Sequence, residues 1–393
     1  MLRDKTIFVF SGSDWNDNAV SNMQISAILS KYNKLIYIET IGRRLPRLSE
    51  YKRVFRRIKA IFFKEDNDKK KGLDPINVIV VKPIAIPYHG NFIIDALNKF
   101  FILIQIRKYL PNNPEQELYT WTFSPLWQPF IESLTKRFQI FHCVDALNTY
   151  DDSDFYLSLL NRSIKTSDVV FTPGVLLEKD LKKKNDKTFL VGHGCGEELV
   201  KINSQINIPI EIKNEKRPIL VYAGTLANWV DYELLENLAD SNNEMLILLI
   251  GYIHALAPIN NVQSLLKKQN VLHVGYKNYE DLPSFYSKSH IGIVPYQSNN
   301  EHIQYSTPTK FLDYFSAGLK VVTTNFPAAH VYNDDFVKIA NSSDDFAEKV
   351  QILLNEDKNN IEEIKSFALA NTWEKKVEEL CSIIEDEEMK NIN

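Results

Sequence analysis

Glu301, Lys310 and Asp313 are the residues of this chain whose types and spacing best suit chemistry. Two of them sit in STPTKFLDYFSAG, Ser306 to Gly318, which leads almost at once into the apolar run KVVTT. Ser306 and Thr307 are suited to capping backbone amides, Pro308 to the first helical position, and Gly318 to a left-handed helix end. A helix start is therefore expected here. Lys310 and Asp313 lie one turn apart on one face of it, immediately behind the capped amides. Amides, an ammonium and a carboxylate together suit an anionic ligand that also carries hydroxyl groups. Glu301, ahead of the helix, adds a second carboxylate.

Other candidates stand at the ends of apolar runs. Asp145 follows QIFHCV, where a carboxylate can bind or activate an acceptor hydroxyl or simply cap the strand. His142, inside that run, reads as a packed core histidine, and Asp151 and Asp152 as caps of the next helix. The loop SGSDWNDNAVSN brings Gly12, Ser13 and Asp14 to the first strand's exit, with Gly12 permitting close backbone approach. A substrate contact by Asp14 or Asn16 and a plain solvated turn are both open readings. In VGHGCGEE, the alternation of Gly192, Gly194 and Gly196 around His193 suits either a phosphate approach or a hinge. His193, Cys195, Glu197 and Glu198 lack a second ligand group at zinc spacing, so no metal is expected. YAGTLANWVDYELL places Gly224 and Thr225 at a strand exit, with Asp231 as a helix cap. No G-x-G-x-x-G or G-x-x-x-x-G-K-[ST] loop is present, which disfavours a dinucleotide oxidoreductase and a nucleoside triphosphatase.

The elements that must position these residues are legible as an alternation. Short apolar runs, IFVF, KLIYIE, NVIVV, ELYTW, QIFHCV, DVVFT and TFLVG, recur between amphipathic stretches, and ILVYAG, MLILLIG, NVLHVG, HIGIVP and KVVTT repeat the scheme. They read as buried parallel strands in two βαβ arrays, an α/β chain of two doubly wound, Rossmann-like domains with a cleft at the strand C-termini. The expected division is 1–200 for a first Rossmann-like domain, 201–217 for a polar linker and 218–370 for a second. Residues 371–393 form a helix packing back on the first domain. Trp373, Val377, Leu380, Cys381 and Ile384 give that helix one apolar face.

With 393 residues, two domains are the natural expectation. A hydrophobic fraction of 44% and a formal net charge of -4 describe a globular chain without a global basic field, so no nucleic-acid partner is expected. Three scattered cysteines argue for neither a disulfide framework nor a zinc ribbon, and suit a reducing compartment. The N-terminus reads as a first strand rather than a signal peptide. FFILIQI, broken by Gln105, is too short to span a bilayer. From Arg43 to Lys71, twelve Lys or Arg face four acids, and Tyr51, Val54, Phe55, Ile58, Ile61 and Phe62 share a helical face. Residues 43–71 are read equally as lying on an anionic membrane surface or as a helix packed on the sheet, with a site for an acidic or phosphate-carrying glycan acceptor as the runner-up.

With that alternation in place, the segment from Glu301 to Val322 resembles the family-4-like glycosyltransferases of the GT-B fold, above all the teichuronic-acid-type branch. The family pattern E-x(4-6)-S-P-x-K-x-x-E-Y-x-A-x-G-x-P-V-V is met by Glu301, Thr307, Pro308, Lys310, Asp313, Tyr314, Ala317, Gly318, Val321 and Val322. SDVVFTPGVLLEKDL, GHGCG, YAGTLANWVDYELL, NVLHVGYKNYEDLPSFYSKSHIGIVPY and TWEKKVEEL extend the likeness over nearly the whole chain. The resemblance implies a retaining transferase, with the donor on the C-terminal domain and the acceptor on the N-terminal one. It implies that Asp313 holds the ribose hydroxyls, that Glu301 approaches the donor sugar, and that the amides from Ser306 to Thr309 face the diphosphate. Asp313 stands where relatives carry Glu, one methylene longer. YAGTLAN lacks the arginine that many relatives place beside the diphosphate, which leaves Lys310 a larger share.

The expected function is transfer of a hexose-like unit from a nucleotide-diphosphate sugar to a hydroxyl of a bacterial surface glycan or lipid-linked glycan. Glu301 and Asp145 are the catalytic candidates, and no cofactor is expected. Gly224, Thr225, Ser306, Thr307, Lys310 and Asp313 are the donor-binding candidates, and Gly12, Ser13, Asp14, His193 and Gly194 line the acceptor-side loops. A sugar-nucleotide epimerase or hydrolase, or a catalytically silent subunit of a polysaccharide assembly complex, are the alternatives. The expected location is the cytoplasm, with a peripheral position at the inner membrane face through residues 43–71.

Overall fold

A computed structural model describes residues 1–15, 21–41, 77–86, 91–144, 153–196, 199, 207–356 and 360–390. Asn16, the basic stretch 43–71, Asp145, Asp151, Asp152, Glu197 and Glu198 lie outside the described residues. The chain forms two compact units. The first comprises Met1–Thr172, Asp180–Phe189 and Val377–Asn393, and the second Pro173–Lys179 and Leu190–Lys376.

In the first unit, β1 (Thr6–Phe10), β2 (Lys34–Ile38), β3 (Val78–Val81), β4 (Leu118–Thr122), β5 (Phe138–His142), β6 (Val169–Thr172) and β7 (Thr188–Leu190) form one sheet in the order β3-β2-β1-β4-β5-β6-β7. The pairs from β3 through β6 are parallel. β1, β4 and β5 are buried along their whole length, which is why their sequences are continuous apolar or aromatic runs rather than alternating ones. Helices α1 (Ser21–Ser30), α2 (Phe92–Arg107) and α3 (Asp154–Thr166) belong to this unit. Ser153 caps α3, its hydroxyl accepting from the Tyr156 amide. His142 is buried and stacks on Phe123, as a core histidine should.

In the second unit, β8 (Ile219–Ala223), β9 (Leu246–Ile250), β10 (Val271–His273), β11 (Ile291–Val294), β12 (Lys320–Thr324) and β13 (Val337–Ala340) make a wholly parallel sheet, ordered β10-β9-β8-β11-β12-β13. That order reverses between β8 and β11. Its helices include α4 (Tyr232–Ser241), capped by Asp231 through the Leu234 amide, and the short α5 (Glu301–Tyr305) and α6 (Lys310–Ser316).

Helix α7 (Trp373–Lys390) carries the chain back, and from Val377 it belongs to the first unit. Val377, Leu380, Cys381 and Ile384 are buried, as their spacing requires. Glu388 accepts from the Tyr119 hydroxyl at 2.7 Å and pairs with Arg137 Nε at 2.5 Å, while Lys187 lies 3.5 Å from Glu387. Two doubly wound sheets and a returning C-terminal helix are the architecture the alternation implied. Among the described residues, no helix is long and apolar enough to cross a membrane.

Candidate functional site

In a parallel sheet the crevice opens where the strand order reverses, so the exits of β8 and β11 are the natural mouth of the second unit. The loops leaving them are stitched together. Val230 bridges Tyr296, the Asp231 amide donates to the Pro295 carbonyl at 2.8 Å, and the Gln297 amide donates to that of Trp229 at 2.9 Å. β8, β9 and β10 each end at or near a glycine with positive φ, Gly224 (158°), Gly251 (146°) and Gly275 (71°). Gly224 and Gly251 pack backbone to backbone: a Cβ on Gly251 would stand 2.0 Å from the Gly224 carbonyl oxygen. We expect Gly251→Ala to destabilise the protein by roughly 3–5 kcal/mol, because both the dihedral and the contact forbid a side chain. A thermal melt within a degree of wild type would refute this reading.

Lys310 is buried at that mouth. Its ammonium lies 4.5 Å from the centroid of the Tyr222 ring and 4.7 Å from that of Tyr296, and donates to the Tyr296 hydroxyl. A Cβ on Gly224 would come within 2.8 Å of Lys310 Nζ, so glycine at this strand exit leaves room for the cation. The Tyr222 hydroxyl donates to the Thr225 carbonyl at 2.9 Å, holding the loop that leaves β8. Burial, then neighbouring Tyr296 and Tyr314, pushes the Tyr222 phenol well above its usual range. It is a neutral donor, and the positive charge at the mouth is the lysine's.

The cap expected at Ser306 and Thr307 differs from what forms. α6 begins at Lys310 with Thr309 as N-cap and no side-chain cap bond, so Pro308 lies ahead of the helix. Ser306 instead closes α5, its amide and hydroxyl both donating to the Ile303 carbonyl at 3.2 Å. Thr307 Oγ1 donates to the Pro173 carbonyl at 3.0 Å. Five residues of helix before Ser306 already demand a terminator, and that local need takes the serine. At the other end, Gly318 has φ 76° and, with Leu319, returns its amide to carbonyls of the last turn, as its sequence position implied.

Asp313, also buried, accepts from the Tyr279 hydroxyl at 2.6 Å, and the Gly196 amide donates to that same hydroxyl at 3.5 Å. Burial and then the Asp313 charge push the Tyr279 phenol well above its usual range, which keeps it a proton donor to the carboxylate. Glu301 opens α5 and is exposed, next to His302, whose ring lies 5.6 Å from that of Trp229.

Gly194 has a structural reason of its own. The chain at Cys195 pairs with Thr372, and a Cβ on Gly194 would stand 2.5 Å from the Trp373 amide nitrogen. His193 packs edge-on to Trp373, and desolvation lowers its pKa to about 4, so it is neutral near pH 7. In the first unit, Ser11 and Ser13 meet the Asn22 amide at 2.7 and 3.0 Å, and the Tyr37 hydroxyl lies 2.6 Å from Ser11 Oγ. Burial pushes Tyr37 up to about 12. Asp14 is half-buried beside this network. Gly12 is not crowded: a Cβ there would meet Ser124 only at an ordinary 3.8 Å, which removes the close-approach reason given for it.

The structure thus gathers Gly224, Thr225 and Lys310 at the β8 exit, with Asp313 one turn further along α6. It adds Tyr222, Tyr279, Tyr296 and Gly251, which the sequence reading passed over. Gly251 had a signal, since MLILLIG and NVLHVG repeat the run-plus-glycine ending of the β8 segment. Tyr222 and Tyr296 had none beyond their places at strand ends, and Tyr279, six residues past β10, had none.

Residues 203–368 match the model of the family described as "Glycosyl transferases group 1". A curated relative, the putative teichuronic acid biosynthesis glycosyltransferase TuaH of Bacillus subtilis (strain 168), is 24% identical over 180 residues. That match spans 45% of this chain and 45% of the relative, a little under half the length of each. Among solved structures, a glycosyltransferase from Rickettsia africae ESF-5 matches with a TM-score of 0.68 and 14% identity, covering 98% of this chain and 99% of that one. Anabaena Alr3699/HepE, in complex with UDP, gives 0.66 and 10%, covering 97% and 100%. At such identities the solved structures speak for the fold, and the family model speaks for the second unit. Residues 203–368 are therefore similar to the group 1 glycosyltransferases, and the chain as a whole has the GT-B fold of the solved glycosyltransferases it matches.

Proposed function

We propose that the protein is a retaining transferase that moves a sugar from a nucleotide-diphosphate donor to a hydroxyl of a bacterial surface glycan or glycolipid. The observation that carries this reading is the buried Lys310 ammonium beside Gly224 at the switch point, one helical turn from Asp313. An ammonium already freed of bulk water can meet a departing diphosphate without reorganising, and electrostatic help of that kind is worth about 3–4 kcal/mol per donor in transition-state binding. Asp313, held by Tyr279, accepts from ribose hydroxyls. The complex of the Anabaena protein with UDP supports a uridine nucleotide as the first donor to try. Because Ser306 and Thr307 already bond to Ile303 and Pro173, the phosphate contacts fall on Lys310 and on the loop of Gly224 and Thr225.

In the reaction so assigned, the bond from the anomeric carbon to the phosphate oxygen breaks and a bond to the acceptor oxygen forms on the same face. The acceptor proton passes to the departing phosphate. Glu301 faces the positive charge that develops at the anomeric carbon, and Asp145, with the loop of Ser13 and Asp14, serves the acceptor. Thermal-shift titration with a panel of nucleotide sugars, followed by turnover with the stabilising donor, tests the reading. Glu301→Gln should keep the nucleotide-induced shift and lose transfer by about a hundredfold or more. Unchanged turnover would remove Glu301 from the mechanism, and a panel in which no nucleotide sugar stabilises the protein or is turned over would defeat the assignment.

A further inference from the structure

Helix α2 turns the ordinary amphipathic pattern around. Its inner face carries Ile102 and Ile106, fully buried, and with them Asn98, also buried. The Asn98 amide takes both backbone groups of Ile86, accepting from its N–H at 2.7 Å and donating to its carbonyl at 2.9 Å. Gln105 does the same for Ile84, at 2.9 and 3.1 Å. The two amides clasp the segment after β3 against the helix. Outward, Phe92, Ile93, Leu97, Phe100, Phe101 and Ile104 are 43–88% exposed, and the clasped segment adds Ile84 at 55% and Ile86 at 40%. Positions 93, 97, 100 and 104 recur at helical spacing, so the exposure is one stripe and not scattered single residues. Singly exposed apolar side chains are normal, but a contiguous set marks an interaction surface.

The charges around this stripe indicate its partner. Lys82 is 58% exposed and lies 4.0 Å from Glu39, Arg107 and Lys108 stand exposed at the C-terminal end of α2, and Lys99 is half-buried on it, against one acid on the helix, Asp95 in its first turn. This cationic rim runs against the formal net charge of -4 on the whole chain. A second copy of the chain would set like charges against each other across the apolar faces, whereas anionic head groups complement them. We propose that the exposed face of α2, with Ile84 and Ile86, docks on an anionic phospholipid bilayer, its apolar side chains entering the head-group and acyl boundary and its basic residues meeting lipid phosphates.

The full chain should float with phosphatidylcholine vesicles that contain phosphatidylglycerol, and much less with phosphatidylcholine alone. Phe100→Ser with Ile104→Ser should lower partitioning at least about tenfold without moving the melting temperature, since both side chains are already in water. Arg107→Gln with Lys108→Gln should lower it by roughly tenfold or more and flatten its salt dependence. Absence of flotation by the wild type would overturn the proposal. So would flotation that both double variants leave intact, which would assign binding to another surface. A wild-type dimer split by the Phe100 and Ile104 changes, or a melting temperature lowered by them with lipid binding unchanged, would give the face to a second copy or to the chain's own residues. None of these readouts depends on sugar transfer, so the proposed reaction and this surface stand or fall separately.

Discussion

Lys310→Met is expected to lower kcat/KM for the nucleotide-sugar donor by roughly a hundredfold to a thousandfold. A charge-assisted bond to the diphosphate is worth about 1.5–3 kcal/mol in the bound donor, and more as charge gathers on the leaving phosphate. Stability should respond in the opposite sense or not at all. The ammonium sits desolvated between Tyr222 and Tyr296, and the ring contacts of about 1–2 kcal/mol only partly offset that burial. Methionine fills similar space without a charge to desolvate. Loss of activity with a melting temperature equal to or above wild type is the expected pair of results. Steady-state kinetics indistinguishable from wild type would end the phosphate role of Lys310.

Asp313→Ala is the second large effect, and it should appear in stability as well as affinity. Removing the carboxylate leaves the Tyr279 hydroxyl without its 2.6 Å acceptor, at a cost of about 1–3 kcal/mol. Affinity for the free nucleotide should fall roughly tenfold to a hundredfold, because the ribose hydroxyls lose a charged acceptor. Tyr279→Phe serves as the comparison. It removes the same internal bond but keeps the carboxylate, so it should weaken nucleotide binding by a few-fold only. Equal affinity losses in the two variants would mean that Asp313 acts by holding Tyr279 and not by touching ribose. Asp313→Glu tests the shortened reach: one methylene more would drive the carboxylate into Tyr279 in a packed site, costing about 1–3 kcal/mol.

The strands were legible because parallel strands buried on both faces must be apolar throughout, and LVYA, LILLI and IGIV are. Gly318 was legible because a left-handed helix end has few other solutions. The start of α6 was not, since Ser306 had two helices to serve and its nearer one took it. The enclosure of Lys310 was hidden for a different reason. Tyr296 is fourteen positions away and Tyr222 comes from another strand, so the sheet alone brings them together. The role of Gln105 in FFILIQI was hidden in a third way. In the sequence Gln105 only interrupts an apolar run, and its amide is seen to hold the backbone of Ile84, 21 positions away, only once the chain is folded.

The return of α7 to the first unit has a consequence for the order of events during synthesis. Tyr119 and Arg137 emerge from the ribosome long before Glu388, and the whole of the second unit is made in between. The N-terminal unit therefore waits with an incomplete surface while the C-terminal unit folds, a reversal of the usual first-made, first-finished sequence. A premature stop ahead of Val377 would leave the second unit whole and injure the first, the part of the protein farthest from the lesion along the chain.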